Sequence, residues 1–173
     1  MLRILPRFFL ISLSLILSIL NSDLVIAQRN VTTTAIARKK TPISVTLTKN
    51  LDLVFGTIAP RPTSGTVTIN HSNNAVTFSG VSLLTVSATR TRAQFTIQSS
   101  AATIFSVSVP TSIQLSSGGL TPMNVSLTKN LSITGNTIPA GGSAILYIGG
   151  TLQVNANQPA GNYTANLPVT INY

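Results

Sequence analysis

Few side chains here could carry acid–base or nucleophilic chemistry. The sequence holds one histidine, His71, two acids, Asp23 and Asp52, no glutamate and no cysteine. A hydrolase or transferase needs a positioned base or a pair of carboxylates. A Ser-His-Asp arrangement would have to use His71 with Asp52, and no G-x-S-x-G elbow is present. His71 lies in Asn70-His71-Ser72-Asn73-Asn74, which is turn material, so it reads as an exposed turn residue. Asp52 sits between Leu51 and Leu53 and reads as the partner of a nearby Lys or Arg, or as solvent-facing. A zinc site wants three or four His, Cys or carboxylate ligands, and a hard cation wants clustered oxygens. The expectation is therefore a protein that is no enzyme and holds no cofactor and no metal.

Charge offers a different chemistry. The chain has 11 Lys+Arg against 2 Asp+Glu, a formal net charge of +9. Two groups of cations stand close together: Arg38-Lys39-Lys40, and Arg90 with Arg92 around Thr91. These are the candidate interaction residues, for anionic glycan or an envelope surface. Their bland reading is a solvated charge cluster and, for Arg92, a guard at the end of a strand. The other cations are dispersed, and no basic stripe interleaved with aromatics appears, so nucleic acid is not an expected partner.

The elements that must hold these residues are strands. Only 8% of the residues are charged, against the usual figure of about 25%, while 43% are hydrophobic. Thr, Ser, Asn and Val are abundant, and these favour strands and turns. At the N-terminus, Arg3 and Arg7 precede the apolar run Phe8 to Leu20, too short for a comfortable transmembrane span. Val25-Ile26-Ala27 suits signal cleavage after Ala27. The expected organisation is a signal peptide over 1–27, a flexible leader over 28–42, and a β-sandwich over 43–173. Location would then be secreted, periplasmic or cell-surface, with membrane contact only during export. Without cysteine, the exported domain must hold together by its core.

Within 43–173, alternation of apolar and polar residues marks strand after strand. Ile43 to Leu47, Leu51 to Phe55, Gly65 to Asn70, Ala75 to Ser79, Arg92 to Gln98 and Phe105 to Val109 all show it. Ile113 to Leu115, Met123 to Leu127, Leu131 to Ile133 and Ala144 to Ile148 follow. Gly149-Gly150 reads as a break before Thr151 to Val154. Val45 to Leu51 (VTLTKNL) returns almost unchanged as Val125 to Leu131 (VSLTKNL), which we read as two strands with similar surroundings, with two symmetric half-domains as the alternative. The last stretch, Tyr163 to Tyr173, alternates throughout and predicts one continuous strand. Pro168 lies on its polar side and, lacking an N–H, fits an edge strand or a bulge. The whole predicts an all-β fold, a single antiparallel sandwich of about 8–10 strands, with a closed barrel as the other option.

Two stretches carry a family resemblance. Leu146-Tyr147-Ile148-Gly149-Gly150-Thr151-Leu152, the turn Gln158-Pro159-Ala160-Gly161-Asn162-Tyr163 and the ending Val169-Thr170-Ile171-Asn172-Tyr173 resemble the bacterial domain-of-unknown-function family numbered 4402. Phe55-Gly56-Thr57-Ile58 resembles its N-terminal signature. The resemblance implies structural roles for Phe55, Gly56, Gly149, Gly150, Leu152, Gly161, Tyr163, Val169 and Tyr173. The G-x-Y turn and alternating last strand also resemble spore-coat-U-type and chaperone–usher pilin subunits. That likeness implies an Ig-like sandwich and a surface, adhesin- or fimbria-like subunit. Its partners would be copies of itself or other surface subunits, joined by strand addition. A sandwich complete in itself is the other possibility.

Overall fold

The computed structural model describes residues 38–40, 42–84 and 89–173. The signal-peptide expectation, most of the leader, and the ambiguous residues 85–88 lie outside the described residues. The chain divides into two compact units, Met1–Lys40 and Thr41–Tyr173.

The second unit is all-β. Its strand segments are β1 (Val45–Leu51), β2 (Ile58–Ala59), β3 (Gly65–Ile69), β4 (Val76–Ser79), β5 (Ser82–Leu83) and β6 (Ala93–Ser99). They continue with β7 (Thr103–Ser108), β8 (Ser112–Leu115), β9 (Met123–Lys129), β10 (Asn136–Ile138), β11 (Ser143–Val154) and β12 (Thr170–Asn172). That is twelve segments among the described residues, more than expected, because several are only two to four residues long.

β11 is the axis. Ser143 to Ile148 pairs antiparallel with β6, Gly150 to Val154 pairs with β3, and Ile148 to Leu152 pairs with β9. β1 extends the sheet beyond β6, β4 beyond β3, and β8 beyond β9, so seven strands share it. The predicted break at Gly149-Gly150 is absent. Leu146, Ile148, Gly150, Leu152 and Val154 keep the period of two on one face straight through the glycines. The glycines answer close backbone approach instead. A Cβ on Gly149 would meet the main-chain N of His71 at 2.6 Å, where the β3–β4 turn crosses over, and one on Gly150 would meet Ser126 O of β9 at 2.8 Å.

One strand therefore serves two cores. Leu146 and Ile148 join Ala93, Phe95 and Ile97 of β6 in a cluster with Phe105, Val107 and Ile138. Those last three come from a separate three-stranded sheet, β10-β7-β12. Leu152 and Val154 join Val67, Ile69, Met123 and Val125 in a second cluster. It is covered by Phe55, Val81, Leu53, Ile58, Leu83 and Tyr163. Of those covering residues, Ile58 and Leu83 pair in the two-stranded β2–β5 sheet, and the others lie outside any strand.

Three further expectations need correction. Leu51 to Phe55 is no strand: β1 ends at Leu51 after a register shift between Lys49 and Leu51, and beyond it only Val54 pairs, in an isolated bridge with Thr91. Leu131 to Ile133 is loop, and pairing resumes at Asn136, whose Oδ1 accepts from Ser132 N and whose Nδ2 donates to Ser132 O. The last stretch is a strand only over Thr170–Asn172, paired with β7, plus a bridge between Thr164 and Ser116. Leu167, Val169 and Ile171 do face the core, half-buried, while Ala165 and Tyr173 are exposed.

The repeated VTLTKNL and VSLTKNL segments are β1 with its bulge and β9 with its end. In both, the Asn stitches the strand's end to a neighbour. Asn50 Oδ1 accepts from Thr96 Oγ1 at 2.8 Å. Asn130 Nδ2 donates to Ile145 O at 3.0 Å, and its Oδ1 accepts from Tyr147 N at 2.7 Å.

Candidate binding groove

The residues first considered for catalysis are apart in their partners. Asp52 pairs with Lys49 at 2.9 Å, both side chains well exposed. His71 Nδ1 lies 3.2 Å from Thr128 Oγ1, and the side chain is half-buried beside β9 rather than free at a turn tip. Among the described residues no three His, Cys, Asp or Glu side chains gather.

The two cation groups differ. Arg38, Lys39 and Lys40 are exposed and outside any strand. Arg90 Nη2 donates to Leu84 O at 2.8 Å and to Thr57 O at 3.4 Å. Arg92 Nη1 donates to His71 O at 2.6 Å and also to Ser72 O, and its guanidinium carbon sits 3.6 Å from the Tyr147 ring centroid. Guanidinium on an aromatic face and charge-assisted bonds to carbonyls both hold a half-buried arginine in place. These two arginines tie loops to the sheet, and those nitrogens are committed to the fold.

The feature with the dimensions of a binding site is a groove of about 990 Å³. One wall is Leu51 to Ile58, with Lys49 and Pro60 at its ends, and the other is Gln158 to Pro168. Its floor is apolar: Phe95 from the first cluster, then Ile113, Leu115, Met123, Leu152 and Val154 from the second. Each wall contains one isolated bridge, and the first wall also joins β1 at Leu51 and β2 at Ile58. Val54 N donates to Thr91 O at 2.8 Å and Thr91 N to Val54 O at 3.1 Å; Thr164 N and Ser116 N donate to each other's carbonyl at 3.0 Å. In extended backbone, consecutive amides point to opposite edges. Val54 and Thr164 use their N–H and C=O in those bridges, so their neighbours Leu53, Phe55, Tyr163 and Ala165 turn theirs to the opposite edge. Among the described residues, the main chains of Leu53, Phe55, Ala165 and Leu167 make no main-chain hydrogen bond.

A buried polar knot fixes the second wall. Gln158, only 6% exposed, donates through Nε2 to Thr121 O at 2.6 Å and to Tyr163 Oη at 2.8 Å, and its Oε1 accepts from Asn155 Nδ2 at 2.6 Å. Tyr163 Oη then donates to Pro159 O at 2.9 Å. Every polar atom of the buried amide is used, as burial requires. Gly161 is close by, where a Cβ would meet Ser117 Oγ at 2.8 Å and Leu120 Cδ1 at 3.0 Å. Of the residues singled out by resemblance, Phe55 is buried on the first wall, with Gly56 at φ 76°, and Leu152 is buried in the floor. Val169 is half-buried in the first cluster, and Tyr173 is 64% exposed. Sequence reasoning quoted the Gln158 to Tyr163 turn only as a resemblance and Met123 only as a strand residue, and it missed Asn155, the hydrogen bonds of Gln158 and the place of Met123 in the groove floor. The signal available was an amide spaced five residues before a tyrosine, with a glycine between.

Fold and groove together define an all-β domain with an apolar-floored groove between two wall segments. The chain belongs to the family described as a domain of unknown function (DUF4402), matched over residues 45–173. The matched range begins with β1 and so takes in the whole sheet and both groove walls. No curated protein and no solved structure matches the chain.

Proposed function

We propose that this protein is an exported, non-enzymatic structural or adhesin-like subunit of the cell surface, an Ig-like sandwich that accepts an added strand in the groove. The observation that carries the reading is the pair of walls, Leu51 to Ile58 and Gln158 to Pro168, above an apolar floor, where Leu53, Phe55, Ala165 and Leu167 make no main-chain hydrogen bond among the described residues. A strand laid there gains main-chain hydrogen bonds from the walls, and its alternate side chains reach the floor. The leader of another copy is the proposed strand. It runs from Gln28 to Lys40, thirteen residues with no glycine or proline, and β-branched at Val31, Thr32, Thr33, Thr34 and Ile36. Extended, it reaches roughly 43–47 Å, enough for a wall of about ten residues.

The test is oligomeric state by light scattering on the exported protein. Deleting 28–40 abolishes assembly, and Ile113→Arg, which puts a charge in the floor, does the same with the leader intact. Assembly that survives both changes, or a full-length protein that stays monomeric at every concentration, ends the reading. The other sequence-based reading, an anionic-glycan module, rests on Arg38, Lys39 and Lys40, since Arg90 and Arg92 are engaged with carbonyls. Salt-sensitive retention on heparin that is lost in the deletion variant would favour it.

A further inference from the structure

The cations of the described chain are unequally protected against proteolysis. Lys49 lies within β1 and pairs with Asp52. Arg61 is followed by Pro62, so the bond after it is a tertiary amide with a ring where an endopeptidase expects an N–H. Arg90 and Arg92 hold main-chain carbonyls of three different segments. Lys129 is in β9, with Nζ donating to Leu131 O at 3.1 Å. Arg38, Lys39 and Lys40 alone among them are exposed, outside any strand and consecutive. They also sit at the boundary between the two compact units, which falls after Lys40. Exposed connecting chain with few bonds is where endopeptidases cut, because the segment can enter an active site without unfolding a domain.

We propose that Arg38-Lys39-Lys40 is a processing site for an endopeptidase with acidic specificity pockets, which removes the leader from the folded domain. In the cleavage, water adds to the Lys39 carbonyl and the Lys39–Lys40 amide breaks. The new carboxylate stays on Lys39, and the proton goes to the leaving amine of Lys40. Trimming of the new end has a built-in stop: once Lys40 is gone, Thr41-Pro42 presents an amide nitrogen without hydrogen. Cleavage carries off Arg29, Arg38 and Lys39, so the domain from Lys40 onward keeps six cations against Asp52. The site stands on exposure and position; its consequence rests on the strand-addition reading, under which the cut removes the donated strand and switches assembly off.

Trypsin at limiting concentration on the purified full chain is the first test, read by intact mass. From Arg38 onward the expected result is one early cut, within 38–40, and a product of residues 39–173, 40–173 or 41–173 that then persists, whether or not the arginines of the removed segment are also cut. In the triple variant Arg38→Gln, Lys39→Gln, Lys40→Gln, products beginning at residues 39–41 should form at least about tenfold more slowly. Early cuts after Lys49, Arg90 or Lys129, or a variant that forms those products as fast as the parent, would overturn the site. N-terminal sequencing of the protein from its natural producer is the second test: a start at Lys40 or Thr41 supports processing, and a start only at Gln28 overturns it. Cleaved protein that still assembles would refute the leader as donor and leave the site standing. Uncut protein that assembles through its leader would do the reverse.

Discussion

The two ends of β11 are built alike and covered differently. Around Leu146 and Ile148, the strand faces a regular sheet, β10-β7-β12, whose Phe105, Val107 and Ile138 complete a buried cluster. Around Leu152 and Val154, the same face of the same strand is covered by pieces of chain from 53–58, 81–83 and Tyr163, and between them the groove opens. The difference lies in the covering layer and not in the strand. Alternation decides which side chains point to a core, and a second sheet decides whether that core is closed. An apolar floor beneath edges whose backbone groups lack partners is the condition for strand addition.

If this comparison is right, truncation should cost most at the closed end. Leu146 is fully buried, and Leu146→Ala leaves a cavity with no neighbour free to fill it, at an expected cost of about 3–5 kcal/mol by urea denaturation. Met123, 7% exposed, lines the groove, so Met123→Ala enlarges a space already open to solvent. Its expected cost is near the lower limit of about 2 kcal/mol for such changes. Equal costs would show that the groove floor is as tightly packed as the closed core, and the comparison would fail.

The crossing between the two ends should be the next most sensitive point. Gly149→Ala pushes a methyl group into the main chain of the β3–β4 turn, where neither partner is a flexible side chain. A loss of about 1–3 kcal/mol is expected, typical of overpacking. Substituting Gly141, at φ 67° with open space around it, should cost only about 1 kcal/mol from backbone strain. A Gly149→Ala variant as stable as the parent would mean the turn lifts away, and with it the tie through Arg92.

How much of this was legible in the sequence follows the same division. The faces were legible: Phe95, Ile97, Leu146, Ile148, Leu152 and Val154 are all buried as their alternation predicts. Partners were not. Leu51 to Phe55 alternates as well as any strand here, yet apart from Leu51, which closes β1, it pairs only at Val54, because pairing depends on a neighbour that alternation does not specify. Tyr163 to Tyr173 fails for the same reason, with pairing left only at Thr164 and over Thr170–Asn172. Gly149-Gly150 was misread because glycine marks both breaks and close approaches, and only the crossing turn distinguishes them. The groove itself is a property of what is absent between two segments, so no residue type announces it.

A smaller effect should come from the polar knot on the second wall. Tyr163→Phe removes the hydroxyl that accepts from Gln158 and donates to Pro159 O, while Thr121 O still accepts from the same amide nitrogen. About 1 kcal/mol of stability should be lost. Gln158→Leu should cost more, about 1–3 kcal/mol, because the Asn155 amide then loses its acceptor in a part-buried setting. The order of these two variants, measured by thermal or urea unfolding, checks whether the amide or the hydroxyl organises the wall.

The smallest effect is expected at the ion pair at the groove's edge. Lys49 and Asp52 are 59% and 67% exposed, and an exposed pair of this kind contributes about 0–1 kcal/mol. Asp52 also serves the wall through its main chain, since its carbonyl accepts from Thr91 Oγ1 at 2.8 Å next to the Val54–Thr91 bridge. Asp52→Asn removes the charge and keeps that carbonyl, so stability should change by less than about 0.5 kcal/mol. Thr91→Val removes the hydroxyl bond while leaving the bridge, and should cost about 1 kcal/mol. If Asp52→Asn proved the more damaging, the first wall would be held by its surface charge rather than its main chain. The wall would then loosen in high salt, and the slot would be far less fixed in width than one paired on its outer edge.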